Sequence, residues 1–136
     1  MRGRSLLCAV AGVLALSLAG CGQDDRPVSW SYIHAAIITP ACTTSACHTK
    51  LAAYAGIELH SKEAAYVILT GTPCDSVDPD GEAPRNFVTP GQPENSRLMH
   101  LLLGEEVRRQ MPPDRPLPDV DIALVEQWIL EGAECD

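Results

Sequence analysis

Cys42-Thr43-Thr44-Ser45-Ala46-Cys47-His48 is the stretch on which the reading of this chain turns. Two cysteines stand five positions apart, and a histidine follows the second directly. Thiols can add to the vinyl groups of a haem, and the adjacent imidazole can then coordinate the iron. The order therefore suits a covalently held haem. The usual attachment signature places two residues between the cysteines; here there are four, Thr43 to Ala46, all small. Vinyl positions are fixed, so a longer spacer has to bulge if both sulfurs are to meet them. The competing reading is a Cys42–Cys47 disulfide, which leaves His48 without a role. Zinc fits worse, because adjacent Cys47 and His48 are awkward for a tetrahedron and no fourth ligand is placed.

Upstream of the motif the pattern is helical. Trp30, Ile33 and Ile37 share one face, flanked by His34 and Ile38. Ser29 suits an N-cap, and Pro40 is predicted to end the helix just before Cys42. Further back, residues 1–20 read as a secretory signal: Arg2 and Arg4 start it, an apolar run from Leu6 to Leu18 follows, and Leu18-Ala19-Gly20-Cys21 closes it. The run is short for a spanning helix of about 20 residues. This stretch resembles the bacterial lipoprotein box, which implies cleavage before Cys21 and lipid on that cysteine. Gly22, where an acidic residue would resemble an inner-membrane sorting signal, leans towards the outer membrane. Residues 21–28 then form a lipidated polar tether, and 29–136 one small domain.

Charge and compartment follow. The net charge is −8, and loss of residues 1–20 removes two positive charges and no negative one, leaving −10. Such a chain repels phosphate backbones, which excludes nucleic acid and favours partners with basic surfaces. Secretion places Cys42, Cys47, Cys74 and Cys135 in an oxidising, extracytoplasmic space, where four cysteines permit three pairings.

Downstream, Leu51, Tyr54, Ile57 and Leu59 form an irregular segment around Gly56. Ser61 is predicted to cap a helix through Ala64, Ala65, Val67, Ile68 and Leu69, which Gly71 stops. Residues 72–93 are rich in Pro, Gly and Asp and read as a long loop. Its Asp75, Asp78, Asp80 and Glu82 lack the spacing of a calcium loop and read as a solvated face. A third helix is expected over Glu94–Leu103, with Leu98, Leu101 and Leu102 inward and Gly104 at its end. Met111-Pro112-Pro113 is a stiff segment. The last helix starts at Asp119 or Asp121, buries Ile122, Leu124, Val125, Trp128 and Ile129, and ends at Gly132. The fold class is all-α: about four short helices with one long loop. Only 4% of residues are aromatic, a thin supply for a core.

From Trp30 to Ala133 the chain resembles small bacterial cytochrome c domains anchored as lipoproteins. The resemblance rests on an N-terminal helix leading into Cys42…Cys47-His48, on Pro90-Gly91-Gln92-Pro93-Glu94-Asn95-Ser96-Arg97-Leu98 as the turn into a middle helix, and on Met111-Pro112-Pro113. The closing helix from Ile122 through Trp128-Ile129 to Gly132-Ala133 completes it. It implies one covalent haem c held by Cys42 and Cys47, with His48 and Met111 as axial ligands. Met99, His100, His34 and His60 are fallbacks for the second axial position. With haem on Cys42 and Cys47, the remaining pair is Cys74 and Cys135. The function implied is single-electron transfer between redox partner proteins in the periplasm or at the outer membrane. With both axial positions filled, no site is left for a substrate, so the chain is not expected to be an enzyme. The alternative is a haem-free helical lipoprotein, stapled by two disulfides, that acts as an interaction or scaffold module.

Overall fold

Ser29 starts the first helix as expected, its hydroxyl accepting a hydrogen bond from the Tyr32 N–H at 3.3 Å. The structure, a computed structural model, describes residues 25–74, 87–106 and 109–136. The signal segment, Cys21 and the Asp75–Glu82 acidic stretch lie outside the described residues. Every element described is helical, with no strand among the described residues. No described helix is long and apolar enough to cross a membrane.

The first helix, α1, covers residues 30–42 in three parts. It is α-helical over Trp30–Ile33, π-helical over His34–Ile38 and α-helical again over Thr39–Cys42. Pro40 does not end it, contrary to the sequence expectation. In a regular helix the Pro40 ring would press on the carbonyl of Ala36 and leave it without a donor. Here the Thr39 N–H reaches back five residues to the His34 carbonyl, and this wider turn lies directly before the ring. The helix therefore runs on into Cys42. Its buried face is the expected one, namely Trp30, Ile33, His34, Ile37 and Ile38.

The second helix, α2, spans Lys62–Thr70, capped by Ser61 and closed by Gly71 in the left-handed region at φ 83°. The third, α3, spans only Arg97–Leu103, because a 3-10 turn over Pro93–Asn95 occupies the expected first turn. Ser96 separates the two. It is fully buried, and its hydroxyl accepts from the Thr89 N–H and donates to the Gln92 carbonyl, both at 2.9 Å. Such local bonds compete with helix propagation. The fourth, α4, spans Asp119–Leu130 with Asp119 and Asp121 in its first turn, where carboxylates suit the helix dipole. All five of its predicted core residues are buried.

Aromatic rings hold these helices together. Trp30 of α1 stacks on Trp128 of α4 with centroids 5.1 Å apart, and Tyr66 of α2 sets its edge against both rings at 5.7 and 6.4 Å. Each ring's polar atom is satisfied: Trp30 Nε1 donates to the Lys62 carbonyl, Trp128 Nε1 to Glu134 and the Tyr66 hydroxyl to Ala133. A disulfide joins Cys74 to Cys135, with Cα atoms 5.3 Å apart and a sequence separation of 61. Closing a loop of that length contributes about 4 kcal/mol in the chain-entropy account. Next to it, the terminal Asp136 accepts from the Ser31 N–H at 2.7 Å, and Lys62 Nζ donates to its backbone oxygen at 2.6 Å.

Trp128→Ala removes the centre of this cluster. It is expected to lower stability by about 3–5 kcal/mol in urea denaturation. A loss below about 1 kcal/mol would show that the stack carries little of the fold.

Candidate functional site: the Cys42–His48 loop

Because α1 runs through Pro40, Cys42 sits in its last turn and the motif begins where the helix stops. The four-residue spacer then folds back on itself. Cys47 N–H bonds to the Thr44 carbonyl at 2.9 Å, and His48 N–H bonds to the Cys42 carbonyl at 3.0 Å. The extra residues thus leave the loop as a closed bulge, and His48 returns to the backbone of Cys42. Thr43 Oγ1 donates to the Thr39 carbonyl, and Thr44 Oγ1 lies 3.0 Å from the Cys47 sulfur.

Both thiols are free. The Cys42–Cys47 disulfide of the competing reading is not formed, although Cys74 and Cys135 are paired. Burial pushes the Cys42 thiol up to about 11, and the neighbouring Cys47 sulfur adds to the effect. At neutral pH Cys42 is therefore a protonated thiol in a largely apolar setting.

His48 is gripped twice by the chain that follows. Its Nδ1 lies 3.1 Å from the Ile57 carbonyl oxygen, and its own carbonyl accepts from the Leu59 N–H at 2.8 Å. A ring nitrogen that bonds a carbonyl carries the proton, so the neutral imidazole presents an unprotonated Nε2 as its lone-pair atom. This is the tautomer a metal-ligating histidine needs, with its other nitrogen oriented by a backbone carbonyl.

The intervening residues 49–57 make a tight excursion. Tyr54 N–H bonds to the Cys47 carbonyl at 3.1 Å, and Ala53 and Ala55 are both left-handed, at φ 36° and 57°. Alanine has no preference for that region, so the geometry is imposed by the surrounding turn hydrogen bonds, Ala53 to Thr49 and Gly56 to Ala53 among them. It leaves Leu51 98% and Tyr54 61% exposed, with the Tyr54 ring edge-on to His48 at 6.2 Å. Two large apolar side chains thus stand in solvent beside the motif.

Met111 lies beyond α3, half-buried, its N–H bonded to the Leu101 carbonyl at 2.9 Å. Among the described residues, no hydrogen bond or ion pair joins it to the Cys42–His48 loop. The fallback ligands are occupied elsewhere. Met99 is in the core and, with His100, borders a groove of about 320 Å³ that includes none of the motif residues. His100 Nδ1 pairs with Glu105, which raises the imidazole's affinity for a proton, and His60 pairs with Glu58 at 2.7 Å. His34 is buried on α1, its Nε2 donating to the Leu59 carbonyl at 3.1 Å. Sequence reasoning missed that bond, and also the Ile57 carbonyl, because a main-chain acceptor leaves no residue signature.

Among the described residues no group of three or more His, Cys, Asp or Glu side chains converges on an ion site. Two unpaired thiols and one imidazole with a free Nε2 do not form a cage for a bare ion. Their chemistry, two thiols able to form thioethers and an imidazole nitrogen able to ligate, is the donor set that a covalently held haem would use. No protein-family model, curated protein or solved structure matches this chain.

In the haem-free, reduced chain, alkylation of Cys42 by iodoacetamide is expected to stay slow at pH 9 and to rise towards pH 11. A rate at pH 9 equal to that of the unfolded chain would show that Cys42 is not shielded.

Proposed function

We propose that this chain is a mono-haem c-type cytochrome, lipid-anchored through Cys21, that passes single electrons between extracytoplasmic proteins. Cys42 and Cys47 would hold the haem through thioethers, and His48 through Nε2 and Met111 through its sulfur would ligate the iron. The iron would supply a one-electron couple, which Met/His ligation would set at a higher potential than a bis-histidine pair. The observation that carries this reading is the state of His48: its Nδ1 is committed to the Ile57 carbonyl and its Nε2 is left for a ligand, next to two unpaired thiols. A Cys42–Cys47 staple leaves that arrangement without a purpose. Exposed Leu51 and Tyr54 support it, since a porphyrin edge needs apolar cover. The acidic balance, −8 overall, favours partners with basic docking faces and disfavours nucleic acid. Filled axial positions make it a carrier of electrons and not an enzyme.

Matured in cells that attach haem, the purified protein is expected to be red and to keep its haem through denaturation, with loss of attachment in Cys42→Ala/Cys47→Ala. Met111→Ala is expected to abolish the sulfur-to-iron band in the far red of the oxidised protein. A colourless protein overturns the haem reading and leaves an interaction or scaffold module. A red protein whose wild type lacks that band removes Met111 as ligand.

A further inference from the structure

His34 is buried on the π turn of α1, and the proposed function gives it no task. Its Nε2 donates to the Leu59 carbonyl. Leu59 in turn donates its N–H to the His48 carbonyl, and two residues earlier the Ile57 carbonyl receives the His48 Nδ1 proton. His34 and His48 thus both bond the same short stretch of backbone, 57–59. Among the described residues the His34 bond is the hydrogen bond from α1 to this stretch, beside the burial of the Leu59 side chain in the apolar core. Ile57 is only half-buried, and the preceding loop contains the left-handed Ala53 and Ala55.

We propose that His34 is a positioning residue for His48: through Leu59 it fixes residues 57–59, so that the Ile57 carbonyl keeps the His48 proton on Nδ1 and leaves Nε2 free for iron. The inference rests on the haem reading for its purpose, but its geometry does not depend on it. The π turn starts at His34, whose place on the buried face with Ile33 and Ile37 comes from ordinary helical spacing, and lets the helix pass Pro40 and continue to Cys42.

Three proteins test this: the wild type, His34→Phe, which fills the site without a donor, and His34→Gln, whose amide nitrogen takes the place of Nε2. A carbonyl bond at Nδ1 strengthens the imidazole as an electron donor and favours the oxidised iron. In the haem protein, His34→Phe is therefore expected to raise the reduction potential, and His34→Gln to restore the wild-type value. Near-ultraviolet circular dichroism of the tryptophan stack checks that each variant folds. Should His34→Phe fail that check, His34→Asn, polar but too short to reach the carbonyl, replaces it with the same expected shift. Equal potentials in the donor-lacking and donor-retaining variants overturn the proposal while leaving the haem reading intact. If the wild type carries no haem, that reading fails, and the nitrogen-15 spectrum of His48 in the same proteins decides the matter. Loss of the Nδ1–H tautomer in His34→Phe with its return in His34→Gln supports the positioning role, and an unchanged tautomer overturns it.

Discussion

The stack of Trp30 on Trp128 is the contact on which the rest of the arrangement depends. It joins the first turn of α1 to the last turn of α4, and Tyr66 locks α2 against both rings. In a chain with so few aromatic residues, placing three of them in one cluster concentrates the dispersion and area terms where three helices meet. The polar atom of each ring is bonded to a main-chain carbonyl, so the cluster has one arrangement and not several. Two of those carbonyls, Ala133 and Glu134, belong to the C-terminal tail that also carries Cys135. The disulfide and the aromatic cluster therefore hold the same end of the molecule.

That end is distant from the chemistry. Twelve residues separate Trp30 from Cys42 along α1, which at a helical rise of about 1.5 Å per residue is about 18 Å. The helix acts as a strut: its start is fixed by the stack, and its last turn presents the first thiol. A helix that stopped at Pro40 would leave Cys42 on a free loop. The π turn prevents this by letting the helix pass the proline. His34, at its start, lies on the buried face by ordinary helical spacing.

Much of the scaffold was legible because its signals are side chains with fixed habits. Ser29 and Ser61 cap helices, Gly71 and Gly104 close them in left-handed turns, and the apolar spacing of α4 assigns its buried face without error. The pairing of Cys74 with Cys135 was legible only on the condition that Cys42 and Cys47 are used otherwise. The illegible parts share a cause. Pro40 inside a helix, Ser96 breaking the expected third helix and His34 bonding Leu59 all turn on which carbonyl lies within reach. Every residue supplies a carbonyl, so sequence pattern carries no information about which one is used. The bulge over Thr43–Ala46 is intermediate: small residues permit it, but its closure through the Cys42 carbonyl belongs to the backbone.

The loop between His48 and Leu59 shows why such bonds matter at this site. Ala53 and Ala55 in left-handed geometry cost on the order of 1–3 kcal/mol each. Exposed Leu51 and Tyr54 return no burial to offset that cost. The compensation within the loop is a handful of hydrogen bonds along it, Ala52 and Ala53 to Thr49, Gly56 to Ala53 and Ile57 to Tyr54, each worth about 1 kcal/mol net. Such a loop is held by its two anchors and by its own turn hydrogen bonds, without burial of Leu51 or Tyr54. One anchor is the closed bulge at Cys42–His48. The other is the 57–59 backbone, which His34 ties to a helix fixed by the aromatic stack. In the proposed role of His34, the orientation of His48 is tied to the aromatic stack through α1, His34 and Leu59 in turn.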